Sequence, residues 1–536
     1  MEISEQPAHS KDKNTDVLHM RPINIENQKR ILKNSVFLYI RMFFVLLVSL
    51  YTIRIVLNNL EVVDYGIYTA IGGVVLSLSF LSQVLASASQ RFFAYELGLK
   101  ENGIRLNKIF NTILISYVGI ALLIVLLAES IGLWFMFNKM TIPAERMDAA
   151  LWVFQFALLS FVVTIMTNPY IAVVIASEHM NIYAYVGIID VILKLLIACL
   201  LIISPIDKLK LYSVLMFVES CITASIYICI CRKKFTSTKF SFFWDKTLFK
   251  TVFSYSSWTL FGTVAGVCNN QGANILLNVF IGPSANAAYA IGHQAGSAVS
   301  GFSSSFYSAV RPQLTKSYAA NDMAYMYQLF YFSSKVIFLL LFVIILPLIS
   351  ELELILNLWL DIVEPYMIIF TRLILIYTMI ICLSEPITTI AQASGQVKKY
   401  HGIVDGFALI ALPLSYFALK NDCPPQSVFY ITILVFSIAH FLRLIVLQRI
   451  IVFLIAQYIK HYILPIAVII IASIGITQGV HYLFNNIFLR FFTVLFTAIL
   501  AIFTLGYYIL FTEDEISILR SLFCNRKPDK PLCSNR

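Results

Sequence analysis

The chain has 536 residues, of which 59% are hydrophobic and only 13% charged, with a net charge of +10 and a mean hydropathy of +0.82. A soluble domain of that size could not keep so much apolar surface from water, so the composition excludes it and points to a polytopic all-α membrane protein. A membrane β-barrel is excluded as well: its strands would read as alternating segments of about ten residues, whereas these apolar runs are continuous and about twice that length.

Residues 1–33 are polar and carry six Lys/Arg, with no apolar core before a small-residue cleavage site. They read as a cytoplasmic arm, not a secretory signal peptide. From Asn34 to Gly98 come two apolar spans joined by a short acidic turn at Glu61 and Asp64 and closed by Arg91. Further spans are predicted near 108–128, 149–170, 183–203, 209–231, 251–271, 284–306, 328–349, 366–390, 402–419, 427–447, 462–484 and 488–511, about 14 in all. The seventh and eighth are rich in Gly, Ser, Ala and Asn, a composition suited to close packing or to a polar cavity. The nine cysteines, five of them inside spans (Cys199, Cys221, Cys229, Cys268 and Cys382), form no CxxC pair and no ligand spacing. They read as small hydrophobes, implying no disulfide, metal or cofactor.

Charge orients the spans. The tails and every second connection hold 28 of the 39 Lys/Arg, including Arg232, Lys233, Lys234, Lys239, Lys246 and Lys250; the alternate connections hold six. Both termini are therefore expected in the cytoplasm, and this topology accounts for the positive charge without nucleic-acid binding. Five cations remain at membrane depth: Arg41, Arg54, Lys194, Lys335 and Arg372. Four acids share that depth: Asp190, Glu219, Glu385 and Asp405. A charge facing lipid costs several kcal/mol, so such residues are expected to pair or to line a water-filled cavity. Asp190 and Lys194, one helical turn apart, can neutralise each other, and Arg54 can snorkel to the interface.

The chain also resembles itself. At an offset of 220 residues Ile55, Leu57 and Asn58 meet Ile275, Leu277 and Asn278; Ala70, Ile71 and Gly72 meet Ala290, Ile291 and Gly292; and Arg91 meets Arg311. A second match aligns Pro169, Ala176, Ser177 and Tyr183 with Pro386, Ala393, Ser394 and Tyr400. Two like-oriented six-helix lobes follow, an N-lobe over 34–231 and a C-lobe over 251–447. A basic linker (232–250) joins them, and two further helices (462–511) and a cytoplasmic tail (512–536) follow. Parallel repeats of this kind place a substrate site at the lobe interface and work by rocking.

Asp64-Tyr-Gly-Ile-Tyr68, then Gly72-Gly73, then Arg91-Phe92-Phe93 heading a basic loop, resemble the polysaccharide transporter family. That family belongs to the superfamily of multidrug exporters and lipid II flippases, and the similarity is closest to Wzx-type O-antigen and capsule repeat-unit flippases. The resemblance implies a MATE-like fold in the bacterial inner membrane. It implies translocation of an undecaprenyl-diphosphate-linked oligosaccharide by alternating access, coupled to protons or sodium, beside the polymerase and glycosyltransferases of the same pathway. On that picture Arg41, Arg54, Lys194, Lys335 and Arg372 are candidate headgroup ligands, because Arg offers bidentate bonds and Lys a point charge to phosphoryl oxygens. Arg91 and Arg311 are candidate gate or helix-end residues. Asp190, Glu219, Glu385 and Asp405 are candidates for ion coupling, since a desolvated carboxylate exchanges its proton as exposure changes. A multidrug exporter of the same superfamily is the alternative. A membrane polymerase or glycosyltransferase fits less well, because the outer loops are short, the longest near 129–148. No nucleophile with a base, phosphate loop or metal cluster appears either.

Overall fold

In hydrocarbon every backbone N–H and C=O must be satisfied within its own segment, so continuous apolar runs fold as helices. The structure is a computed structural model and describes residues 25–76, 79–99, 103–140, 142–243, 245–360, 365–484, 486–512 and 515–516. Most of the expected arm and tail, with Lys100, Asp361 and Glu364, lies outside the described residues.

The expected spans are helical, the second of them divided between the end of α1 and α2: α1 Ile25–Leu76, α2 Ser79–Leu99, α3 Gly103–Asn138, α4 Met147–Ala176, α5 Met180–Ile203, α6 Lys208–Lys234 and α7 Lys246–Phe280. Then follow α8 Pro283–Ala319, α9 Met323–Ser350, α10 Tyr366–Ala393, α11 Val397–Lys420, α12 Ser427–Ile450, α13 Ile455–Leu483 and α14 Ile487–Leu510. Among the described residues eleven stretches are long and apolar enough to cross a membrane, with α1 contributing Arg30–Val56. The helices that fall short are α2, α7 and α8, the last two being the Gly- and Ser-rich pair.

Two local expectations are corrected. The acidic turn between the first two spans is helical, because α1 runs unbroken from Ile25 to Leu76; no proline interrupts 60–68, and Asp64 is matched by Arg146 and needs no turn to reach water. The long outer loop near 129–148 is largely helix, since α3 passes through a π-bulge at Ala128–Gly132 and continues to Asn138.

Side-chain caps fix several helix starts. Asp207, Asp245, Asp322 and Asn486 accept from backbone N–H groups in the first turns of α6, α7, α9 and α14, each such cap stabilising by about 1 kcal/mol. At the α7–α8 corner Gly282 takes φ 114°, open only to glycine, and Pro283 starts α8 at its first position. Helix α10 breaks at Ser384 and restarts at Glu385–Ala393 with Pro386 in its first turn.

Helices α1–α6 pack around Phe110, Tyr117, Phe154 and Ile165, while α8–α10 share a second core of Phe330, Phe338, Leu375 and Ile387. Between lipid-solvated helices close small-residue contact drives association. Gly292 and Gly296, a GxxxG pair on α8, meet α10, where added Cβ atoms would lie 2.6 Å from Ile374 Cδ1 and 2.9 Å from Thr378 Oγ1. The last two helices dock on α9. Glu351 takes His481 Nδ1 at 2.7 Å and Arg490 at 3.0 Å, and the Tyr462 hydroxyl donates to the Ser334 carbonyl.

Candidate functional site

Helix α8 meets α1, α2 and α4 as well as α7, α9 and α10, so it forms the seam between the two halves. Its uncovered stripe, Ala287, Ala290, Gln294, Ser297, Ala298 and Ser304, is too polar for lipid and suits a wet cleft. One end of the bundle carries the α6–α7 linker and the α4–α5 turn, with Lys234 Nζ 3.3 Å from His179 Nδ1. We call this the linker end. The opposite end holds Asp64, Arg146 and Asp207, where the Arg146 guanidinium bonds both carboxylates and Tyr68 packs edge-on against Tyr212. The Asp-Tyr-Gly-Ile-Tyr stretch thus staples α1 to α4 and α6.

The N-half acids form one cluster. Lys194 Nζ reaches both Asp190 oxygens at 2.9 Å. Glu219 on α6 faces that pair and accepts from Thr223 Oγ1 at 3.0 Å. Arg41 lies beside them, its guanidinium 4.3 Å over the Tyr183 ring and flat against Gly187, where a Cβ would fall 2.2 Å from Nε. That Nε is buried and makes no hydrogen bond among the described residues. Arg54 is exposed near the far end of its span, consistent with snorkelling.

The other candidates disperse. Lys335, 4% exposed, is bound to Glu515 at 2.7 Å. It anchors the segment after α14 to α9. Asp405 takes His401 Nδ1 at 2.6 Å, and the pair packs on Gly262 of α7. Arg372 shares a face of α10 with the exposed Ile376, and its buried Nε has no partner among the described residues.

At the seam Arg91 and Arg311 share one cavity with Ser87, Gln90, Thr315 and Gln392. Its volume of about 10 Å³ holds one water at most. Arg91 donates to the Gln392 and Ala393 carbonyls at 3.1 and 2.8 Å and stacks near Tyr95 and Tyr255. It thereby caps the end of α10 with a cation, the favourable sign there. Arg311 does nothing equivalent. It lies 5.5 Å from the Tyr307 ring, within electrostatic reach of Glu385, and its buried Nε is unpartnered among the described residues.

The structure therefore brings together Asp190, Lys194, Glu219 and Arg41 on one side, and Arg91, Arg311 and Glu385 at the seam. Three residues escaped the sequence reading. Arg443, inside the predicted span 427–447 but absent from the five cations read at membrane depth, is 7% exposed in α12 and donates to Ser384 Oγ at 3.2 Å. His440 meets the same hydroxyl at 2.8 Å. Glu178, in the α4–α5 turn, is 4% exposed, and nothing local in the sequence marks it.

No family model and no curated protein matches the sequence. Solved structures do match. One is a MATE in the straight conformation, 12% identical with a TM-score of 0.68 over 79% of this chain and 96% of that one. Another is the Vibrio cholerae MATE transporter VcmN in the bent form, 14% identical, TM-score 0.64, covering 79% and 96%. A third is a MOP superfamily transporter from Pyrococcus furiosus, described by the reverse polarity of its binding pocket, 12% identical, TM-score 0.67, covering 79% and 95%. The chain is a multi-pass membrane protein with the fold of these MATE and MOP superfamily transporters.

Proposed function

We propose that the protein is an alternating-access flippase that moves an undecaprenyl-diphosphate-linked oligosaccharide to the outer leaflet of the bacterial inner membrane. The supporting observation is the imbalance of matched and unmatched charge. Asp190 has Lys194 and Asp405 has His401. Arg41, Arg311 and Arg372, on helices α1, α8 and α10, each keep a buried guanidinium nitrogen without a partner among the described residues.

A guanidinium nitrogen buried without an acceptor is costly until one arrives, and a diphosphate supplies two charges and many acceptor oxygens. Arg311 lies towards the linker end of α8 beside Arg91, which is held as a clamp, while Arg372 lies level with Gly292 on another part of that helix and Arg41 lies against α5. The lipid tail stays in the bilayer while the sugar passes along the polar stripe of α8. Asp190 and Glu219 form the ion-coupling pair, where protonation of Glu219 alters its standing against Lys194. Glu385 and Asp405 are second candidates. Positive-inside bias places the linker end and both termini in the cytoplasm. A partner polymerase and glycosyltransferases would supply and consume the lipid-linked sugar. Export of cationic drugs is the competing reading, favoured by the MATE-like fold itself.

Proteoliposomes loaded with a fluorescent polyprenyl-diphosphate oligosaccharide separate the two. Protein-dependent exposure of the headgroup, lost in Arg311→Ala, supports the flippase. Efflux of a cationic dye with no movement of the lipid overturns it.

A further inference from the structure

The two halves are fastened at the linker end by a pair of repeat-related contacts. Glu178 and Gly395 stand 217 residues apart, the spacing that aligns Pro169 with Pro386 and Ala176 with Ala393. Each follows the end of its helix, α4 or α10, and each has positive φ, 63° and 77°. For glutamate that backbone is uncommon and costs of order 1 kcal/mol. The same turn is therefore built twice, and each turn holds the opposite half.

The turn ending at Gly395 receives Arg91 of α2 on its carbonyls. The turn at Glu178 receives α8: Lys316 Nζ reaches Oε1 at 2.6 Å and Gln313 Nε2 reaches Oε2 at 2.6 Å. Arg30 of α1 joins at 2.5 Å, and Asn34 Nδ2 donates to the Glu178 carbonyl at 3.2 Å. Between them α2 and α8 cross at Gly98, where a Cβ would lie 2.6 Å from the Lys316 carbonyl oxygen. The cavity beside this crossing has room for about one water, far too little for a phosphorylated headgroup.

We propose that Glu178 and Arg91 are the two bolts of a pseudo-twofold lock that seals the linker end, and that both release when the halves rock the other way. The bolts differ in chemistry. Arg91 bonds neutral carbonyls, while Glu178 bonds two cations and an amide, so loss of one charge at position 178 weakens three contacts at once. This rests on the alternating-access reading and is independent of what is carried.

The test measures the distance between spin labels at Ile104→Cys and Ala320→Cys, exposed positions on the two halves at this end, in purified protein whose native cysteines are replaced. The expected wild-type result is one short distance. Glu178→Gln and Lys316→Gln each add a longer population at least tenfold above wild type, and Lys316→Arg keeps the short one. Arg91→Gln acts like Glu178→Gln. Unchanged distances in monodisperse Glu178→Gln overturn the proposal; if that variant does not fold, unchanged distances in Lys316→Gln and Arg91→Gln overturn it equally. Lipid flipping by a protein whose distances never respond removes the lock and leaves the function standing. Responsive distances without flipping do the reverse.

Discussion

Gly98 on α2 touches the backbone of Lys316 on α8: a methyl group there would sit 2.6 Å from the Lys316 carbonyl oxygen and 2.8 Å from the Ala319 Cβ. Backbone cannot swing aside as a long side chain can. Gly98→Ala is therefore expected to cost about 1–3 kcal/mol of the closed arrangement. Thermal unfolding in detergent should fall, and a label pair across this crossing should separate. An unchanged melting curve and unchanged distances would show that the helices sit further apart.

Lys335 is buried and Glu515 largely so, and they hold each other at 2.7 Å. Removing one partner strands the other, so Lys335→Ala is expected to destabilise by about 3–5 kcal/mol. The double change Lys335→Met with Glu515→Leu should recover most of that loss. Headgroup transport by whatever protein remains folded should match wild type, because neither residue reaches the seam. A selective loss of transport with normal stability would favour Lys335 as a headgroup ligand.

Arg372→Ala and Arg311→Ala each remove a guanidinium whose buried Nε has no partner among the described residues, although Arg311 lies within electrostatic reach of Glu385. Protein abundance should hold while lipid-linked sugar transport drops at least tenfold, a difference of about 1.4 kcal/mol or more in headgroup interaction. Arg54→Ala, at an exposed position, should change transport less than twofold. Export that survives both of the first two changes removes the cationic site.

His179 lies outside the membrane-spanning stretches, and burial, then Lys234, Lys316 and Arg30, hold its imidazole below the ordinary value of 6.5, against the opposing pull of Glu178. Above pH 6.5 the ring is neutral folded or unfolded. As pH falls through 6.5 the unfolded chain takes up its proton first, so this turn loses stability on acidification. The melting temperature at pH 5.5 relative to 7.5 should therefore drop more for wild type than for His179→Gln. Equal drops would assign the acid sensitivity to other groups.

Much of the fold was legible because its cause is local. A run of twenty apolar residues dictates a helix wherever it lies, and the Gly- and Ser-rich composition of α8 anticipated its close contact with α10 at Gly292 and Gly296. Asp190 and Lys194 were readable as a pair because one helical turn brings them together. Long-range partners left no such trace. Lys335 and Glu515 are 180 residues apart, and Glu178 reads as an ordinary loop acid until α8 and α1 are folded over it. The acidic turn misread at Glu61 and Asp64 has the same origin: a carboxylate that signals a loop in isolation sits in a helix once Arg146 comes to meet it.

The glycine pair at 292 and 296 has a mechanical consequence. With Ile374 and Thr378 of α10 seated on bare backbone at these positions, α8 and α10 are keyed together and travel as one stiff plank. Arg372 rides on the keyed stretch, and Arg311 stands 19 residues further along α8 than Gly292, about 28 Å at helical rise. Whatever swing brings the opposite half nearer or farther, a guest handed from one cation to the other crosses a stride whose length the plank sets.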